Sequence, residues 1–109
     1  MAYDEELAKR LNKLISKRKD FYSQRMFGGI GYLLRGNMCF GIYKKFLILR
    51  LGEEKTKRAL LKKHTKPFDI TGKVMKNWAM ISPEAIKTDA DLKQWIKQSI
   101  VFASGLPTK

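Results

Sequence analysis

From Phe21 to Leu51 the apolar side chains recur at every second position, and only short turn signals interrupt them. A period of two is that of a strand with one face buried. Ser23 to Phe27 reads as a first strand, and the Gly28-Gly29 pair allows a kink, a bulge or a tight bend. Ile30, Tyr32 and Leu34 then alternate with Gly31 and Leu33, and Arg35-Gly36-Asn37 is a turn. Met38, Phe40 and Ile42 alternate with Cys39, Gly41 and Tyr43, and Lys44-Lys45 sits at the next reversal. Leu47, Leu49 and Leu51 form one face of the strand that follows, with Arg50 on the other. Connections this short force antiparallel neighbours, so the segment predicts a meander of three or four strands.

The flanks change period. Leu7, Leu11, Leu14 and Ile15 repeat at helical spacing within a helix expected over residues 4–19, capped by Asp4. Gly52-Glu53-Glu54 opens a second helix to about Lys63, with Thr56, Ala59 and Leu60 on its inner side. Residues 66–77 are turn-rich, and Trp78 to Ile81 is a further short strand. Ser82-Pro83-Glu84 starts a turn of helix. Thr88-Asp89-Ala90-Asp91 begins the last helix, whose apolar side is Leu92, Trp95, Ile96, Ser99, Ile100 and Ala103. Gly105 and Pro107 end it. The order is helix, strand meander, helix, strand, helix. This predicts one α+β domain over residues 1–109, an antiparallel sheet of four to five strands with its helices on one face. Such a sheet can leave its other face partly apolar, with Phe46, Ile48 and Tyr43 there, so monomer and homodimer are both open.

Charge sets the expected partners. The chain carries 23 Lys plus Arg against 10 Asp plus Glu, a formal net charge of +13. Such a surplus draws polyanions toward the surface. Lys9, Lys13 and Lys17 share a helix face, and Lys55, Arg58 and Lys62 nearly do; such faces can track phosphates without reading bases. A merely solvated basic face is the competing reading. Tyr43 beside Lys44-Lys45 pairs an aromatic with positive charge, as single-strand binders do.

Catalytic and metal signals are weak. Gly28-Gly29-Ile30-Gly31 fits neither a P-loop nor a dinucleotide loop, because Leu34 stands where a third Gly is needed. His64 is the only His and Cys39 the only Cys, so neither a zinc set nor an intrachain disulfide is expected. Cys39 reads as a small buried hydrophobe. Most acidic residues sit in helix first turns, where capping explains them. No cofactor is expected. An enzyme acting on a nucleotide stays as an alternative, to be revived by a cleft gathering Asp69, His64 and Arg50. The polar, acidic start and the lack of a long apolar run point to the cytoplasm rather than a secretory route or a membrane.

Several segments together carry a resemblance. Arg25-Met26-Phe27-Gly28-Gly29, Gly36-Asn37-Met38, Leu49-Arg50-Leu51-Gly52, Phe68-Asp69 with Thr71-Gly72, and Met75-Lys76-Asn77-Trp78 resemble the N-terminal domain of the TfoX/Sxy family. The opening residues and Phe102 to Pro107 are similar to it as well. The resemblance implies a secretion-chaperone-like α+β fold. It also implies a non-enzymatic bacterial regulator of competence (DNA-uptake) gene transcription, acting with protein partners such as the cyclic-AMP receptor protein or the transcription machinery. It makes Met26, Phe27, Gly28, Gly29, Gly36, Asn37, Gly72 and Trp78 structural positions. Full-length members continue into a second domain, so a stand-alone N-terminal domain, an adaptor with its own partner, is expected here.

Overall fold

A computed structural model describes residues 3–26, 28–69 and 75–107, with Met26 described by its backbone only. Six strands form one sheet: β1 (Phe21–Met26), β2 (Gly29–Leu34), β3 (Asn37–Tyr43), β4 (Phe46–Arg50), β5 (Thr65–Pro67) and β6 (Trp78–Ile81). Their order across the sheet is β1-β2-β3-β4-β6-β5, and every neighbouring pair is antiparallel. Three helices accompany it: α1 (Glu5–Ile15), α2 (Glu53–Ala59) and α3 (Asp89–Ser104), with a 3-10 turn at Pro83–Ala85. The architecture is α+β, as the two periods require. No helix among the described residues is long and apolar enough to cross a membrane.

The sheet has one strand more than the expected four to five. β5 is only Thr65-Lys66-Pro67 and carries no apolar alternation. It forms because β6 offers it a free edge, and an edge is where Pro is tolerated. The first two helices are shorter than the periodicity suggested. α1 stops at Ile15 because Lys17, Arg18 and Lys19 bring like charge and no side chain to bury. α2 stops at Ala59, where the Thr65 hydroxyl donates to the carbonyls of Ala59 (2.7 Å) and Lys62 (2.8 Å). β1 starts earlier than expected, at Phe21, whose ring packs 5.6 Å from that of Phe40.

One core lies between the sheet and the helices. Leu7 and Leu11 of α1 and Leu92, Trp95, Ile96 and Ala103 of α3 meet Tyr32, Leu34, Phe40, Ile42, Leu47 and Leu49 in one cluster. Leu11, Leu34, Leu47, Leu49 and Leu92 are all 0% exposed. Complete burial stabilises by about 1.5–3 kcal/mol for each such side chain. The caps agree with the sequence: Asp4 accepts from the amides of Glu6 (3.0 Å) and Leu7 (3.1 Å), and Thr88 from that of Asp91 (3.1 Å).

β3 departs from simple alternation. Tyr32 faces Phe40 but Leu33 faces Met38, so Cys39 is an extra residue without a partner on β2. This bulge lets consecutive residues point the same way. Cys39 and Phe40 are both 0% exposed and both in the core. Met38, which strict alternation would place on the same face as Phe40 and Ile42, is therefore turned out of the core cluster, its methyl lying near Gly41. Asn37 takes the inward phase instead and is 4% exposed. The Cys39 thiol lies 3.6 Å from the Ser99 hydroxyl, fixing the bulge against α3.

The turns require two of the glycines. Arg35 (φ 53) and Gly36 (φ 87) are both left-handed, the geometry of a two-residue hairpin between β2 and β3. A Cβ on Gly29 would collide with the carbonyl of Ile42 on β3.

Two outcomes follow from this packing. Gly29→Ala lowers the urea midpoint more than Gly28→Ala, because Gly28 has open space around it and only its φ of 74 to accommodate, a cost of about 1–2 kcal/mol. Burial pushes the Cys39 thiol from 9.0 to about 11. The unfolded chain then releases that proton before the folded one does, so stability is full below pH 9 and falls between pH 9 and about 11. Chemical denaturation across pH checks this, and Cys39→Ala removes the first part of the fall. Tyr32, raised by burial from 10.0 to about 12, keeps the later part.

Candidate functional site

Two places bring several basic side chains together. The first is a groove of about 480 Å³ where α1 meets the start of α3, lined by Lys9, Arg10, Lys13, Leu14, Ser16, Lys17, Asp89 and Lys93. Arg10 is committed to the fold: its guanidinium donates to the Ile86 carbonyl (2.8 Å) and to Asp89 (3.2 Å). Lys9 stands 3.6 Å from Glu6, with both side chains largely exposed. Lys13, Lys17 and Lys93 have no carboxylate within 4.0 Å among the described residues. The groove thus presents unpaired ammonium groups along a half-buried apolar floor, Leu14. Lys9, Lys13 and Lys17 do come together, although Lys17 lies beyond the end of α1.

The second place is the β3–β4 turn. Tyr43 and Phe46 face each other across the two strands, and both are half-buried. The Lys44 ammonium lies 5.4 Å from the Tyr43 ring centre. Phe46 has two such neighbours, Lys66 at 4.1 Å and Lys45 at 5.9 Å. Cations over ring faces are held by the ring quadrupole. Lys44 takes a left-handed φ of 56, and its carbonyl accepts from the Asp4 amide at 2.8 Å, which laces the turn to the start of α1.

The lysines of the second helix are not gathered into one stripe. Lys55 lines a separate groove with Val101 and Phe102 near the end of α3. Lys62 lies past α2, its ammonium 5.2 Å from the Trp95 ring, and Arg58 is exposed. Sequence reasoning missed Lys93, Phe46 and Lys66 as members of the two basic places. Lys93 follows Asp89 by one helical turn, a spacing that could have placed it on the α1 side. Nothing in the local sequence places Lys66 beside Phe46; the pairing of β4 with β6 and of β6 with β5 does.

The motif positions have structural placements. Gly28, Gly29 and Gly36 lie in or beside hairpin turns. Asn37 donates to the Pro107 carbonyl at 2.8 Å and so holds the segment after α3. Trp78 is half-buried, 6.0 Å from Phe68, with the Arg50 guanidinium 5.7 Å from its ring and 5.8 Å from that of Phe102. Phe27, Gly72 and the Met26 side chain lie outside the described residues. His64 is exposed and stands 3.8 Å from Glu84. Neither of these two grooves is lined by Asp69, His64 or Arg50. Among the described residues no three His, Cys, Asp or Glu side chains gather closely enough to hold a metal ion.

The groove separates fold from function in a measurable way. Arg10→Ala lowers stability by about 1.5–3 kcal/mol, the range for hydrogen bonds that involve a charged group. Lys13→Ala stays within about 0.5 kcal/mol of the parent, as an exposed side chain without a partner should. Urea unfolding of the two variants checks the contrast.

Comparison with known proteins adds one finding. No curated protein and no solved structure matches the chain. A family match covers residues 13–103, from the last turn of α1 to the end of the core stripe of α3, and so takes in the whole sheet. The chain belongs to the family of the TfoX N-terminal domain.

Proposed function

We propose that this chain is a non-catalytic regulatory domain that acts in the cytoplasm by docking a protein partner. Membership of the TfoX N-terminal family supports a role related to the control of competence genes. The observation that carries the docking reading is the α1–α3 groove. Its ammonium groups at Lys13, Lys17 and Lys93 have no carboxylate within 4.0 Å among the described residues, while the neighbouring Arg10 is held by Asp89 and Ile86. A groove with a fixed wall and unpaired cations suits an acidic helix or loop of a partner, because opposite potentials speed encounter and set register. The partner is a component of the transcription machinery or the cyclic-AMP receptor protein.

The placement of the reactive groups supports a binding role over catalysis. The thiol of Cys39 is buried and pushed up to about 11, away from the range of an activated nucleophile. The Tyr32 hydroxyl is buried and likewise raised. Asp4 and Thr88 are spent on helix caps.

Deletion of the gene, with transcripts of DNA-uptake genes as the readout, tests the regulatory half. Expression falls on deletion, and a chain carrying Lys13→Glu, Lys17→Glu and Lys93→Glu does not restore it although it accumulates normally. Calorimetry with the purified receptor protein and RNA polymerase tests the docking half: the triple variant binds on the order of tenfold more weakly or worse, and added salt weakens the parent complex. Unchanged transcripts after deletion, or a partner complex indifferent to the three charge reversals, would refute the reading.

A further inference from the structure

We infer that the open face of the sheet at the β3–β4 turn is a platform for single-stranded nucleic acid. The site is separate from the α1–α3 groove and does not depend on the reading of that groove. Residues that alternate with the core residues point to the other face of the sheet. On β4 and β6 these include Phe46, Ile48 and Met80; Ile48 and Met80 are 2% and 5% exposed yet lie outside the core cluster. Ile48 and Met80 face each other across the strands and form an apolar floor beside Phe46 that is itself covered, so the rings at its edge are what this face offers a ligand. Tyr43 stands opposite Phe46, so two half-buried rings lie side by side at the edge of that floor.

The neighbour of Tyr43 on β2 is Gly29, and Gly31 faces Gly41 across the same strands. The backbone next to the Tyr43 ring therefore carries no side chain on β2. Around the rings stand Lys44, Lys45 and Lys66, none of which has a carboxylate within 4.0 Å among the described residues. Aromatic rings for bases and flanking cations for phosphates are the two elements of strand binding without sequence preference. In the free protein the ammonium groups rest over the rings. A strand would take the ring faces with its bases and draw the ammonium groups onto its phosphates.

Charge decides the occupant. A second copy placed face to face would set Lys44, Lys45 and Lys66 against their own copies. Its apolar floor would also gain little, since Ile48 and Met80 are already almost fully covered. Duplex nucleic acid offers phosphates but keeps its bases stacked, so the two rings would find no partner. An unpaired strand satisfies both.

The test uses the full chain and a labelled mixed-sequence single strand of about 20 nucleotides, followed by fluorescence anisotropy across a salt series. The parent chain binds the strand more tightly than a duplex of the same sequence, and affinity falls with salt. Converting Lys44, Lys45 and Lys66 to Glu lowers the slope of log affinity against log salt by about 2. Tyr43→Leu and Phe46→Leu each weaken binding roughly fivefold or more at constant slope, the loss expected when a base loses its stacking partner. Tyr43→Trp, which keeps a ring in place if Phe46→Leu fails to fold, shows quenched emission when strand is added. Reversal of Lys13, Lys17 and Lys93 leaves strand binding within about twofold, since those groups lie elsewhere. The inference is overturned by no binding at low salt, by equal affinity for duplex and single strand, by an unquenched Tyr43→Trp, or by a loss that follows the α1–α3 groove instead. A dimer by light scattering that Lys44→Glu and Lys66→Glu dissolve would also overturn it, by assigning the face to a second copy.

Discussion

The bulge at Cys39 is the constraint on which the arrangement of the sheet depends. A strand with strict alternation would turn Met38 inward and leave Cys39 on the open face. The extra residue shifts the phase, so Cys39 and Asn37 join Phe40 and Ile42 on the helix side. Two contacts follow directly. Cys39 seats against Ser99 in the middle of α3, and Asn37 holds the Pro107 carbonyl after its end. The longest helix is thereby fixed to the central strand at two points, and the core closes around it.

The same shift prepares the opposite face. With Met38 turned outward beside Gly41, that side of the sheet carries the Met38 side chain and the Lys66 ammonium over Phe46. The stems of long basic side chains can cover apolar surface while their charges stay in water. A face built this way tolerates solvent and still offers rings and cations to a ligand. The helix side behaves differently. There Arg10 is consumed by structure, while Lys13, Lys17 and Lys93 have no carboxylate within 4.0 Å among the described residues. The two basic places are thus the products of two kinds of packing, one between helices and one between strands.

The net charge of +13 is a property of composition and would exist in any fold of these residues. Its distribution would not. Ion pairs inside the chain remove some cations from play: Arg18 and Arg35 share Asp20, and Lys57 stands near Glu53. Such exposed pairs add little to stability. They matter here because none of them reaches Lys13, Lys17 and Lys93 of the groove or Lys44, Lys45 and Lys66 at the β3–β4 turn among the described residues.

Much of the fold was legible because period and turn chemistry are local. The α1 stripe of Leu7, Leu11, Leu14 and Ile15, the strand face of Leu47, Leu49 and Leu51, and the α3 stripe from Leu92 to Ala103 were all readable from spacing; all join the core, with Leu14, Ile15 and Ile100 only partly buried. The hairpin at Arg35-Gly36 and the caps at Asp4 and Thr88 were readable for the same reason. Family segments such as Gly28-Gly29 marked where the backbone needs a positive φ, at Gly28, and room, at Gly29. What spacing could not supply were effects of neighbours distant in the chain. β5 exists because β6 has a free edge, and the phase of β3 changes because a bulge seats Cys39 under α3. Lys66 reaches Phe46 only through two strand pairings, and Lys93 meets Lys13 only because α1 lies beside the start of α3. The sequence by itself determined which residues are apolar, how they repeat and how much charge the chain carries. Tertiary structure alone decided which cations lose their counter-charges and which aromatic rings stay accessible. Both depend on side chains brought together across the sheet, and no local pattern encodes that.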